Sequence, residues 1–382
     1  MNIKLDSLKK INSGLILHEL KNNNFTRVEL QKSTGLAAGT LSNIMKELVS
    51  KNIVIEKEDN SNGSRGRKGT KLFINYEYKH LIAIKIKRGT MIATLNKIDG
   101  TILNKIILVI PQKDPDTIVN LIYNSYEKLK KDKEILGMGI SFPGQIDSNE
   151  GIVTYSSFYG WKKVYLKKML EEKISCNIFI ENDVRAMALS EKDFVSDDIK
   201  NILYINIDNG ISAGIIINNT LLLGDDFIAG HIGHTFVEDN GIKCNCGKTG
   251  CLETTSSIPK IIENYILLSK DSSENINFNY FVEKINSQDK NALKVLEKAV
   301  YYIAVVIGNL SNTFNISNII FGGKILSIDK LFFSTFSDYI NKIALPYVAE
   351  NLKIKKAKFD HTNDTIEAVY VVLNQFYKGN LI

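Results

Sequence analysis

The first fifth of the chain carries its apolar residues at helical spacing and is cut by polar breaks. Leu15, Ile16 and Leu20 lie near helical spacing in residues 11–23, which predicts a helix ending at Asn22-Asn23-Asn24. Thr26 with Glu29 three residues later is a capping box, so a short helix runs from Arg27 to Ser33. Thr34-Gly35-Leu36 is a turn. A second helix from Ala38 to Lys51 turns Leu41, Ile44, Met45 and Leu48 to one face. The period then changes to two. Residues 53–58 and 70–75 read as strands flanking the polar, glycine-rich stretch 60–69. From about residue 80 strands alternate with helices: a hairpin over 80–100, a third strand over 101–110, a helix over 115–131 and a strand in 135–147 closed by a Gly/Pro turn. Residues 177–183 form a strand running into a helix that starts near Val184. Residues 201–220 repeat the hairpin pattern of 80–100, which predicts two similar lobes. A helix over 291–314, a strand over 319–323 and a last helix over 363–377 close the chain.

Helix, tight glycine turn, helix is the helix-turn-helix arrangement, and the two strands after it make a wing. The second helix turns Gly39, Thr40, Ser42, Asn43 and Lys46 outward, small and polar residues that allow approach to base edges in a major groove. The wing loop carries Arg65, Arg67 and Lys68, suited to phosphates or a narrow minor groove. With Arg27 these are the candidate contacts to double-stranded DNA. Charge supports the assignment. Residues 1–80 hold 14 Lys/Arg against 8 Asp/Glu, whereas the other 302 residues hold 34 of each, so all of the net +6 lies in this segment. No apolar run nears the roughly 20 residues of a membrane span and no signal-peptide pattern begins the chain, which predicts a cytoplasmic protein.

Three of the four cysteines lie in one glycine-rich stretch, as Cys244, Cys246 and Cys251, while Cys176 stands apart as a small core residue. Two nearby histidines, His231 and His234, are candidates for a fourth ligand. Three thiolates and an imidazole suit a closed, tetrahedral, structural zinc site with no open position for water.

The stretch Gly230-His231-Ile232-Gly233-His234, followed by Cys244-Asn245-Cys246-Gly247-Lys248-Thr249-Gly250-Cys251-Leu252-Glu253, resembles the signature of the ROK family (repressor, open reading frame, kinase). One position departs from the pattern, since the family's usual glutamate is His231. The resemblance favours His234 with Cys244, Cys246 and Cys251 as the zinc ligands. It implies an α/β fold: a two-lobed, actin-like (ribonuclease H-like) ROK domain over 77–382, preceded by a winged helix-turn-helix domain over 1–76. Lobe one would span about 77–195 plus the C-terminal helix, and lobe two about 196–360. By the same resemblance Asn182 and Asp183 of the Glu181-Asn182-Asp183 motif, His231, His234 and Glu253 would bind a sugar. A carboxylate within hydrogen-bond reach of a sugar hydroxyl can act as general base in phosphoryl transfer or simply as a strong acceptor.

Both segments that resemble the family's phosphate loops are altered. In Ile84-Lys85-Ile86-Lys87-Arg88-Gly89-Thr90, Lys85 replaces an Asp and Lys87 a Gly. The second is Asp208-Asn209-Gly210-Ile211-Ser212-Ala213-Gly214, where Asp208 would face phosphate. The expectation is therefore a sugar-responsive repressor of carbohydrate genes acting as a homodimer on a two-fold operator, with no catalytic residue. The alternative is a sugar kinase with an added N-terminal domain. Family members answering to xylose or to N-acetylglucosamine are equally compatible with these residues.

Overall fold

Local signals build the N-terminal segment as expected. The computed structural model describes residues 5–58, 70–196, 198–270, 276–361 and 364–382. Helix α1 (Leu5–Asn22) begins six residues earlier than the apolar spacing predicts and buries Ile16, Leu17 and Leu20. Helix α2 (Arg27–Thr34) has the full capping box, with Thr26 N–H donating to Glu29 Oε2 at 2.7 Å and Glu29 N–H to Thr26 Oγ1 at 3.3 Å. Gly35 ends it at φ 65°. Helix α3 (Ala38–Ser50) buries Leu41, Ile44, Met45 and Leu48, the four residues its periodicity selected. Strands β1 (Val54–Glu58) and β2 (Thr70–Ile74) pair antiparallel, Val54 opposite Ile74.

Next come β3 (His80–Ile86), β4 (Thr90–Asn96), β5 (Ile102–Val109), α4 (Pro115–Lys130) and β6 (Ile135–Phe142). A small antiparallel sheet follows from β7 (Gln145–Asp147), β8 (Ile152–Ser156) and β9 (Trp161–Val164), then α5 (Leu166–Glu171) and β10 (Asn177–Asn182). The main sheet runs β10-β6-β3-β4-β5, antiparallel where β3, β4 and β5 meet and parallel between β3 and β6. Strand β3 is buried along its whole length, as a strand in the middle of a covered sheet must be. Cys176 joins this core, and burial pushes its thiol up to about 11.

The second unit starts with α6 (Asp183–Lys192), followed by β11 (Ile202–Ile207), β12 (Ile211–Ile217) and β13 (Thr220–Leu221). Helices α7 (Glu253–Ser256), α8 (Ile258–Ser269), α9 (Phe278–Asn286) and α10 (Lys290–Phe314) lead to β14 (Asn318–Gly322). Then come α11 (Asp329–Ile343), α12 (Pro346–Asn351), β15 (Lys353–Lys356) and α13 (Ile366–Tyr377). Its sheet runs β13-β12-β11-β14-β15. The first strand is central, the next two lie on one side and the last two on the other, which is the order of the first sheet read the other way. The repeated hairpin pattern is thus a repeated sheet topology.

The chain divides into compact units of residues 1–181 with 368–382, and 182–367. Helix α6, expected with the first lobe, falls in the second because Val184, Met187 and Ala188 pack with Ile202, Tyr204 and Ile216 in one apolar cluster. The close approach needs Gly214, where a Cβ would overlap Ala188 and lie 2.9 Å from the Val184 carbonyl oxygen.

Helix α13 belongs to the first unit from Ala368 onward. At Gly139 on β6 a Cβ would overlap the Ala368 carbonyl oxygen and lie 3.0 Å from Val372 Cγ2. Gly139→Val is expected to destabilise by about 3 kcal/mol through overpacking, read as a lower urea midpoint at unchanged slope. The far end of α13 carries the N-terminal segment. Gly14 on α1 lies against the Tyr377 and Lys378 backbone, and Lys21 Nζ stands 5.6 Å and 4.8 Å over the Tyr370 and Tyr377 rings. Among the described residues no helix is long and apolar enough to cross a membrane.

Candidate functional site

Strand pairing around two left-handed glycines builds the metal cluster. Cys244 N–H donates to the Lys248 carbonyl at 2.7 Å and Gly247 N–H to the Cys244 carbonyl at 3.0 Å, closing a knuckle. Gly250 (φ 71°) lies so close to the Glu238 carbonyl oxygen that no side chain fits. Phe236 bridges Cys251, which brings the histidine segment alongside the cysteines.

One ligand atom each from His234, Cys244, Cys246 and Cys251 lies within 4.8 Å of the others. Cys246 Sγ is 3.6 Å from Cys251 Sγ, and Cys244 Sγ is 3.6 Å from His234 Nδ1. Metal–sulfur bonds of about 2.3 Å in a tetrahedron place ligand atoms about 3.8 Å apart, so these spacings fit the edges of one coordination sphere. Without a cation, burial pushes the Cys251 thiol up to about 12 and raises that of Cys244, while the Lys248 backbone N–H holds Cys246 down. Thiols this close ionise together only when a cation balances them. The residues fit a metal ion, and of the two histidines it is His234 that joins them.

Beside this loop, α6 opens on Asn182. Its Oδ1 accepts from the N–H groups of Val184 at 3.1 Å and Arg185 at 3.0 Å, an N-cap. Asp183 Oδ1 accepts from Val184 N–H at 2.9 Å and Asn182 Nδ2 at 3.0 Å. A pocket here is lined by Asn182, Arg185, Ser212, Phe227, Gly230 and His231 among others. Of the five residues expected at a sugar, Asn182 and His231 line this pocket; Asp183, His234 and Glu253 are not among its walls. The His231 and His234 rings stack with centroids 6.4 Å apart.

His231 Nδ1 donates to the Ile228 carbonyl oxygen at 2.8 Å. Burial pushes its imidazole down from the ordinary value, against the raising effect of that bond, so the ring is neutral. Its donor is spent on the backbone and its other nitrogen, Nε2, is left with a lone pair. At this one nitrogen His231 does what a glutamate would do, which is to accept. Sequence reasoning missed Arg185 and Phe227 as pocket walls. The signal for Arg185 was a charged residue two positions after Asp183 on a helix whose neighbours are Val184 and Ala186.

The two altered phosphate segments are closed by their own contacts. Lys85 is buried in β3, Lys87 N–H donates to the Thr90 carbonyl at 2.8 Å, and the Tyr159 hydroxyl donates to the Lys87 carbonyl. In the other, Glu253 Oε2 accepts from Ile211 N–H at 3.4 Å and would lie 2.7 Å from a Cβ on Gly210. Asp208 adds a second carboxylate, 3.4 Å from Lys324 Nζ. A unit charge about 4 Å from a phosphate costs about 4 kcal/mol at an effective dielectric of 20.

In the N-terminal segment Gly39, Thr40, Ser42, Asn43 and Lys46 are all exposed on one face of α3. Arg27 is committed within the protein, since its guanidinium bonds Glu56 on β1 at 2.8–3.0 Å. Arg65, Arg67 and Lys68 lie outside the described residues.

A sequence model of the ROK family matches residues 81–375. The chain is 27% identical over 377 residues to a xylose repressor of Bacillus spizizenii, covering 97% of this chain and 96% of that protein. A crystal structure of a ROK family transcriptional regulator, described as a homolog of the Escherichia coli Mlc protein, superposes with a TM-score of 0.90 at 25% identity, covering 98% of both chains. A ROK family glucokinase from Streptomyces griseus, solved with glucose and AMPPNP, matches 76% of this chain and 98% of its own at a TM-score of 0.64 and 20% identity.

Proposed function

The chain belongs to the ROK family, and from that premise we propose that it is a cytoplasmic, sugar-responsive repressor that binds double-stranded DNA and has no useful kinase activity. Residues 1–76 act as the winged helix-turn-helix head and 77–382 as the ROK sensor domain. A homodimer presents two heads to a two-fold operator. The observation that carries this reading is the polar face of α3, exposed from Gly39 to Lys46 on a segment that precedes the family domain. Thr40, Ser42, Asn43 and Lys46 read bases and phosphates, and Arg65, Arg67 and Lys68 supply further contacts to phosphates or a narrow minor groove. Arg27 helps only if it exchanges Glu56 for a phosphate.

The metal is zinc, held by His234, Cys244, Cys246 and Cys251 in a closed structural site. It fixes the loop that leads from His234 to Glu253. Asn182 and His231 contact the sugar directly, with Asp183, His234 and Glu253 around them. The sugar acts by binding two states of the protein with different affinity, and operator DNA does the same.

Two experiments test the reading. Fragments of the source genome are selected for binding to the purified protein and challenged with a sugar panel; a protein that retains no duplex at low salt is no repressor. A coupled assay with ATP is expected to show no phosphorylation of hexoses, pentoses or amino sugars. Turnover of any of them would establish the kinase alternative.

A further inference from the structure

His361 stands between two buried carboxylates of the second unit. Its Nε2 lies 3.4 Å from Glu191 Oε1 on the last turn of α6, and its Nδ1 lies 3.3 Å from Glu367 Oε2 on the first turn of α13. The side chains of His361, Glu191 and Glu367 are 7%, 3% and 0% exposed. A neutral imidazole has one N–H and one lone pair, so it donates to one carboxylate and turns its lone pair on the other. The imidazolium donates at both nitrogens. Both acids suit the anionic form. Glu191 Oε2 accepts from Lys358 N–H at 2.9 Å and Oε1 from Phe359 N–H at 3.1 Å, and the first turn of α13 favours negative charge at Glu367. From β11 the Tyr204 ring meets the imidazole edge-on with centroids 6.1 Å apart. Burial, then the charges of Glu191, Glu367 and Asp183, hold the Tyr204 hydroxyl well above its ordinary range, so it stays neutral. On the histidine's own segment Phe359 packs at 5.9 Å, Lys358 sets its ammonium 3.6 Å over the Phe194 ring, and Asp360 is exposed. Ahead of α13, Asp364 Oδ1 accepts from Thr365 N–H at 2.6 Å.

We infer that His361 is a proton-operated tie: as an imidazolium it fastens the end of α6 to the start of α13, and loss of its proton at alkaline pH releases them. The chain enters the second unit at Asn182, just before α6, and leaves it after Glu367. The tie therefore joins the helix that opens this unit to the residue that closes it. It uses neither the pocket nor DNA, so it is independent of the sugar-sensor reading. Its hold on stability has a definite sign. Carboxylates on both sides favour the charged ring, so the contribution is complete below about 6.5, the ordinary imidazole value, and is lost as pH rises through the folded midpoint.

The test is magnetic resonance on the full-length, metal-loaded protein carrying isotope-labelled histidine rings. The His361 signal is assigned by its loss in His361→Gln or its displacement in Glu367→Gln. It is expected to titrate above about 6.5 in the wild type, and its midpoint to fall in Glu367→Gln, which keeps the ring and removes one carboxylate. Urea unfolding between about pH 6 and pH 9 supplies the second readout. Relative to His361→Gln, the unfolding equilibrium constant of the wild type is expected to grow about tenfold per pH unit between the ordinary and the folded midpoints; the other titrating groups cancel in that comparison. A His361 midpoint at or below the ordinary value overturns the inference, as does one unmoved by Glu367→Gln. Parallel pH dependence in the wild type and His361→Gln overturns it too. If His361→Gln does not fold, the wild-type titration and Glu367→Gln decide.

Discussion

Cys251→Ser is expected to leave the purified protein without its stoichiometric metal. Cys251 is buried, contributes one corner of a four-ligand cluster and sits at the junction of the knuckle with Leu252, which is fully buried. A serine hydroxyl is a poor replacement for a thiolate at zinc, and changes that touch only the surroundings of a ligand already cost about 10- to 100-fold in metal affinity. Loss of a ligand itself costs more. Because metal binding free energy at structural sites is folding free energy, the loop from Thr235 to Cys251, which pairs with itself through isolated bridges at Phe236–Cys251 and Lys243–Thr249 rather than a strand ladder, loosens with it. Elemental analysis is expected to fall from about one zinc per chain to nearly none, with a lower melting temperature and weaker sugar binding. A variant with full metal content, or a chelated protein with unaltered sugar and operator affinity, contradicts the structural role.

The second large effect concerns salt. If the head makes about six to ten phosphate contacts, operator affinity falls about 10³- to 10⁵-fold between 50 and 200 mM salt. Single substitutions on α3 separate positioning from reading. Lys46→Ala is expected to weaken all duplexes alike and lower the salt slope by about one. Asn43→Ala is expected to cost about 1–3 kcal/mol on the operator and little on unrelated DNA. Arg65→Ala and Arg67→Ala are expected to behave like Lys46→Ala. Fluorescence anisotropy at four salt concentrations measures all of these. An affinity indifferent to salt removes DNA as the partner.

Much of the N-terminal segment was legible because its signals are short. A capping box spans four residues, an amphipathic helix repeats within a dozen, and α2, α3 and the ribbon after them appear within one or two residues of expectation. The start of α1 was not legible. Leu8 and Ile11 are exposed, so no buried stripe marks its first two turns. The division at residue 182 was not legible for a related reason. Helix α6 follows β10 directly in sequence, and only its packing on β11 and β12 assigns it to the second unit.

The residue order by itself determined most of the elements, the repeated hairpin and the three cysteines of the candidate metal knuckle. Each of these depends on periodicity or on donors a few positions apart, where chain geometry leaves little freedom. The tertiary structure decided which partner each side chain took. It paired Arg27 with Glu56 across 29 positions, turned Glu253 toward Ile211 and aimed Arg185 at Phe227, each across 42. Local sequence does not determine such contacts, because they form only after separate elements pack and each charged group settles on the acceptor or donor that packing brings within reach.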